Sequence, residues 1–137
     1  MRDGFLGEDN RNIQEIVDED TAVVEQAGYT LGQIADLLDE LHQAADEAMG
    51  TKRKLYNDRV AVVMEEGMGG IPCPFGCGFR GHKGVVTVRA DGMTLALTPL
   101  HPHLIRKHGF FQGKGSTFRL EPRDAIRDRR RREPDGL

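Results

Sequence analysis

The sequence predicts an α+β protein in which acidic helices come first and a small hairpin-plus-helix module follows. Three observations carry that prediction. Apolar residues recur at helical spacing between residues 13 and 48, residues 84–97 alternate about Asp91-Gly92, and a pair of cysteines is followed by four histidines.

The first fifteen or so residues mix Gly, Asp and Asn, after which Ile13, Ile16 and Val17 begin a helical stripe that continues through Val23 and Val24 to Ala27-Gly28. Gly28 suits a helix stop. Thr30 with Gln33 forms a capping-box signature, and behind it Leu31, Ile34, Leu38, Leu41, Ala45 and Ala48 step by threes and fours. This stripe spans fewer than three heptads, so it serves either the chain's own core or a homodimer seam over residues 31–48. His42, beside it, is expected in solvent. Leu55, Tyr56, Val60, Val63 and Met64 suggest a further helix ending near Gly67, and three glycines between 67 and 70 mark a hinge.

Past the hinge, residues 84–97 read as a hairpin turning at Asp91-Gly92, a pair suited to the positive φ angles of a type I′ turn. With those two residues as the loop, Ala90 faces Met93, Val88 faces Leu95 and Val86 faces Leu97. Arg89 then faces Thr94 and Thr87 faces Ala96, so one face is apolar and the other largely polar. Thr98-Pro99 begins a short helix and Gly109 ends it. Residues 116–120 suggest a short strand, and the arginine-rich end carries too many like charges to pack. The expected organisation is an acidic helical region at 1–66, the hinge at 67–70, a module at 71–120 and a basic, mobile tail at 121–137.

The chain has 137 residues, of which 38% are hydrophobic and 30% charged, with no tryptophan. No apolar run approaches the roughly 20 residues of a membrane helix, and the first residues lead into acidic sequence, so the expectation is a cytoplasmic protein without membrane contact. The net charge of -3 hides an asymmetry: residues 1–50 hold 13 Asp/Glu against Arg2 and Arg11, while the remainder is strongly basic.

In a reducing compartment two cysteines four positions apart point to a metal site or a redox pair rather than a structural disulfide. Zinc takes four soft or borderline donors, and Cys73-Pro74-Phe75-Gly76-Cys77 has the turn residues of a knuckle that brings two sulfurs to one side. The other donors come from His82, His101, His103 and His108. His101 and His108 lie about 10.5 Å apart along a helix, too far for one ion, whereas His103 and His108 fall within reach if the last turn loosens at Gly109. The proposed ligands are therefore Cys73, Cys77, His103 and His108, with His82 or His101 as replacements for His103. Four protein ligands leave no position open for water, which implies a structural ion.

The segment 73–108 resembles a Cys2His2 zinc finger of the ββα type. Cys73-x3-Cys77, then Leu100-x2-His103 and His108, match its order of ligands and its core leucine. The resemblance implies a zinc-dependent hairpin and helix, here with a longer hairpin, since 25 residues separate Cys77 from His103 where the family has about 12. It does not extend to the whole chain.

Candidates for binding phosphate or nucleic acid are Arg106 and Lys107 on the short helix, Lys114 and Arg119 in the loop behind it, and Arg129, Arg130, Arg131 and Arg132 in the tail. In the same loop, Phe110, Phe111 and Phe118 either stack on bases or close a small core. A Walker motif is excluded, because Gly115 stands where Ser or Thr must follow the lysine. The acidic helix at 31–48 carries Asp36, Asp39 and Glu40, which repel a phosphate backbone and suit a protein partner instead. Catalysis has no support, since Ser116 is the only serine and no nucleophile–base pair has a recognisable setting. The expected function is thus a regulatory zinc protein that contacts nucleic acid through its basic module and protein through its acidic helices. The alternative is a protein–protein adaptor that does not touch nucleic acid.

Overall fold

The computed structural model describes residues 4–133, apart from the side chains of Glu66, Met68, His82 and Lys83. Helix α1 (Ile13–Gln26) opens at Asn12, whose side chain accepts the Glu15 N–H at 2.9 Å while the Glu15 carboxylate accepts the Asn12 N–H. Helix α2 (Leu31–Glu47) opens on the expected box, with Thr30 and Gln33 exchanging bonds of 3.1 and 2.9 Å. Each box satisfies two amides that a first helical turn leaves without partners. Between the helices Gly28 takes φ 88°, so the stop read from the sequence stands where a left-handed residue is required.

Four strands follow as one antiparallel sheet in chain order: β1 (Arg53–Leu55), β2 (Val60–Pro72), β3 (Arg80–Ala90) and β4 (Met93–Leu97). The β3–β4 register is the one read from the sequence, with Val86 opposite Leu97, Val88 opposite Leu95 and Ala90 opposite Met93. Its turn residues Asp91 and Gly92 sit at φ 49° and 77°, the doubly positive pattern of a type I′ turn. Val60, Val62, Val86, Val88 and Leu97 point to one face and are buried there beneath α2.

Two expectations for residues 51–70 are corrected. The helix expected over 55–67 is instead β1, a turn at Tyr56, Asn57 and Asp58 with three positive φ angles, and the first half of β2. Val60, Val63 and Met64 fit a three-and-four spacing, but Val60, Val62 and Met64 fit a spacing of two equally well, and pairing with β3 decides between them. The hinge at 67–70 lies inside β2, where its glycines accommodate a shift of register between Glu66 and Gly70.

The acidic and basic parts share one core. Its buried residues run from Val24 and the α2 positions Ile34, Leu37, Leu38 and Leu41 through the sheet to Ile105, Phe111, Leu120, Ala125 and Ile126. Of the two uses the sequence left open for the α2 stripe, the chain's own core takes Ile34, Leu38, Leu41 and Ala45. His42, expected in solvent, is half-buried, with Nδ1 2.8 Å from the Leu38 carbonyl and burial holding its pKa below the usual range. Residues 116–120 form a turn at 117–118 within irregular chain rather than the expected strand.

The tail is also corrected. Residues Pro122–Arg131 form a helix that buries Ala125, Ile126 and Asp128 and packs against α1. Like charges are tolerated because carboxylates of the same chain meet them: Arg131 pairs with Asp128 and with Asp91 at 3.0 Å, and Arg132 with Glu40 at 3.0 Å. Arg129 lies over the Tyr29 ring at 5.5 Å. Residues 134–137 of the expected tail lie outside the described residues.

The loop after residue 109 is closed by the N-terminal segment. Phe110 and Phe111 are fully buried, the Gly113 amide donates to the Phe5 carbonyl at 2.7 Å, and the Glu8 amide donates to the Lys114 carbonyl at 2.8 Å. A Cβ at Gly113 would stand 2.2 Å from the Leu6 carbonyl oxygen, so the glycine permits a close backbone crossing. Beneath it, Arg119 and Asp20, each with a side chain only 6% exposed, form two bonds of 2.8 and 3.0 Å, and Arg119 also donates to the Gln112 carbonyl. Asp20→Ala removes the buried partner and leaves the guanidinium to Glu121 and the Gln112 carbonyl, and is expected to lower unfolding free energy by about 1.5–3 kcal/mol, measured by urea titration.

Candidate metal centre

Residues 73–79 connect β2 to β3 as a tight knuckle. The Cys73 amide donates to the Phe79 carbonyl at 2.9 Å and the Gly76 amide to the Cys73 carbonyl at 3.1 Å, while Gly76 and Gly78 adopt φ 70° and 89°. These bonds hold both thiols on one side of the loop. Helix α3 (Leu100–His108) faces them, and the helix at 122–131 is α4. Buried Leu100 and Leu104 seat α3 in a second apolar cluster with Cys73, Phe110 and Ile16. Gly81 on β3 lies so close that a Cβ there would be 3.2 Å from the Leu100 amide.

The ligand atoms of Cys73, Cys77, His103 and His108 lie within 4.8 Å of one another. Cys77 Sγ is 3.2 Å from His103 Nε2, and Cys73 Sγ is 3.5 Å from His108 Nε2. A zinc tetrahedron with bonds of about 2.0–2.3 Å has edges of about 3.3–3.8 Å, so the cluster closes onto an ion with small adjustments. The rings of His103 and His108 stand 5.2 Å apart at the end of the helix. The chain turns away at Gly109, which takes φ 63° as a left-handed cap, and the last turn stays helical instead of loosening as the sequence suggested.

Metal binding needs thiolates and neutral imidazoles, and the surroundings favour those forms at Cys77 and His103 but oppose the thiolate at Cys73. The Phe79 amide beside Cys77 pulls its thiol below the usual range, whereas burial pushes the Cys73 thiol up. Burial and the neighbouring His108 hold the His103 ring below the usual histidine range.

The other histidines have different standing. His101 is buried and bridges two segments: its Nδ1 accepts the Thr98 amide at 2.9 Å and its Nε2–H donates to the Phe118 carbonyl at 2.7 Å. Burial pushes its pKa down to about 4, which keeps this neutral tautomer in place. It is a structural residue rather than a replacement ligand. The side chain of His82 lies outside the described residues.

The basic candidates are not assembled into one site. Arg106 pairs with Asp36 and Asp39 at 2.8 and 2.7 Å, and Arg119 is held by Asp20 and Glu121. Arg129 pairs with Glu133, and Arg131 and Arg132 are paired as described above. Lys107, Lys114 and Arg130 are exposed. The loop read as a phosphate cradle instead binds the N-terminal segment, and its Lys114 amide donates to Asp9 at 3.0 Å.

Two residues of the site escaped the sequence reading. Phe75 stacks on His108 with centroids 4.2 Å apart and planes 10° apart, and Phe79 stacks on His103 at 4.0 Å and 7°. The signal was present as a repeated Cys-x-Phe, at 73–75 and 77–79.

The fold and cluster define an α+β protein with a site that can hold a metal ion. No family model, curated protein or solved structure matches the chain.

If the two core clusters are as independent as their membership indicates, chelation affects them unequally. Hydrogen exchange is expected to accelerate in residues 73–79 and 100–110 on adding a chelator to the metal-loaded protein. The amides of α2 and of residues 86–90 are expected to keep their protection.

Proposed function

We propose that the chain is a zinc-binding, non-enzymatic adaptor in which the ion fastens the β2–β3 knuckle to α3. The convergence of two thiols and two imidazoles within 4.8 Å carries this reading. Mixed sulfur and nitrogen donors at tetrahedral spacing favour zinc over hard cations, which prefer oxygen. Four protein donors fill the coordination sphere, so the ion supports structure and leaves no position for an activated water. The succession of knuckle, hairpin and helix supports kinship in design with Cys2His2 fingers.

Recognition of protein is favoured over recognition of nucleic acid. Five of the eight basic candidates already pair with carboxylates of the same chain, and binding phosphate through them would require breaking those pairs. The exposed carboxylates of α1 and α2 add repulsion. Lys107, Lys114 and Arg130 remain the basis of the nucleic-acid reading.

Elemental analysis of the purified protein is expected to find one zinc per chain, with Cys77→Ser and His103→Ala each weakening affinity by at least about 100-fold, beyond the range typical for residues that only support a ligand. A metal-free native protein whose competition titrations show no tight zinc site would overturn the reading. Titration with mixed DNA and RNA fragments is expected to show no binding even at low salt. Tight binding that falls steeply as salt rises would restore nucleic acid as the target.

A further inference from the structure

The metal cluster has an inner and an outer half. In the inner half Cys73 is buried, His108 lies beside it, and the Phe75 ring that stacks on His108 also meets buried Phe110 edge-on at 5.4 Å. Phe75 is thus held by the second core cluster. In the outer half Cys77 is exposed and Phe79 is 40% exposed, one of only two large hydrophobic residues exposed among the described residues. Burial does not account for a phenylalanine in that position.

Its contact does. Phe79 lies parallel to the His103 imidazole at 4.0 Å, and that imidazole presents Nε2 to Cys77 at 3.2 Å. The same relation holds twice: each phenylalanine stands two residues after a cysteine and stacks on the histidine nearest that cysteine. A histidine on a solvent-facing helix surface would otherwise sample several rotamers. A ring against one face selects one of them and excludes water from that face. Coordination withdraws electrons from the imidazole, which strengthens its attraction to the negative face of a phenyl ring.

We infer that Phe79 is a positioning residue for the outer half of the metal site, a clasp that holds His103 in its ligating rotamer and slows loss of the ion. The inference rests on the zinc reading above. Phe75 does the same for His108, but its core contacts mix that role with folding, so Phe79 is the residue to test.

The experiment loads the full-length protein with zinc and follows transfer of the ion to a chromogenic chelator, beside cobalt(II) spectra of the same variants. Phe79→Ala and Phe79→Leu are expected to release zinc about 10–100-fold faster than wild type, the range for residues that orient a ligand. Phe79→Tyr, which keeps the flat ring, is expected to release it at the wild-type rate. The cobalt ligand-field bands are expected to weaken in the alanine and leucine variants and to persist with tyrosine. Leucine retains bulk without planarity, so the Leu–Tyr comparison decides the matter even if the alanine variant folds poorly. A leucine variant that releases zinc at the wild-type rate overturns the clasp alone. A wild-type chain that takes up no zinc overturns the clasp together with the reading beneath it.

Discussion

Burial of the α2 apolar stripe against the inner face of the sheet is the contact on which the rest of the molecule depends. Ile34, Leu37, Leu38 and Leu41 meet Val60, Val62, Val86 and Val88, and all are within 2% of complete burial. Each such side chain contributes about 1.5–3 kcal/mol when removed from water. The interface joins residues as far apart as Ile34 and Val88, so the acidic and basic parts share one core. It also sets where α3 lies, because Ile105 belongs to this core while Leu100 and Leu104 on the same helix belong to the cluster beneath the knuckle.

That arrangement changes what an ion in the cluster would be needed for. A small zinc finger has almost no core and depends on its metal for folding. Here the ligands stand at the rim of a molecule that already has one. Two come from a loop at the end of the long β2–β3 ribbon and two from a nine-residue helix. An ion held there would tie the end of the ribbon to a seated helix, with a phenylalanine stacked on each imidazole.

The charge asymmetry of the sequence is resolved internally. Arg106 reaches Asp36 and Asp39, Arg132 reaches Glu40, and Arg119 reaches Asp20, each pair joining a basic residue of the second half to an acidic residue of the first. Most of these pairs are exposed and contribute little individually to stability. Cations matched by carboxylates offer a phosphate backbone much less than the same cations alone. The Arg119–Asp20 pair differs, since its burial makes it part of the packing that holds the N-terminal segment.

What the sequence determined by itself was local. The Thr30 capping box, the Asp91-Gly92 turn with its full hairpin register, the limits of α3 and the membership of the Cys73, Cys77, His103 and His108 cluster all follow from the chemistry of a few neighbouring residues or from donor type. These were legible because the interactions that decide them act within a turn or two, or because few residues can serve as soft donors. What only the tertiary structure decided was long-range. Residues 60–72 became a strand because β3 was available to pair with them, and the arginine tail became a helix because distant carboxylates and the apolar surface beside α1 received it. The α2 stripe faced inward because a sheet lay opposite. His101 and His103 differ by two positions and one is buried by residue 118 while the other faces the cysteines, a distinction that no local pattern contains. Pairing, burial and charge neutralisation depend on partners far along the chain, and their outcome exists only once the chain has folded.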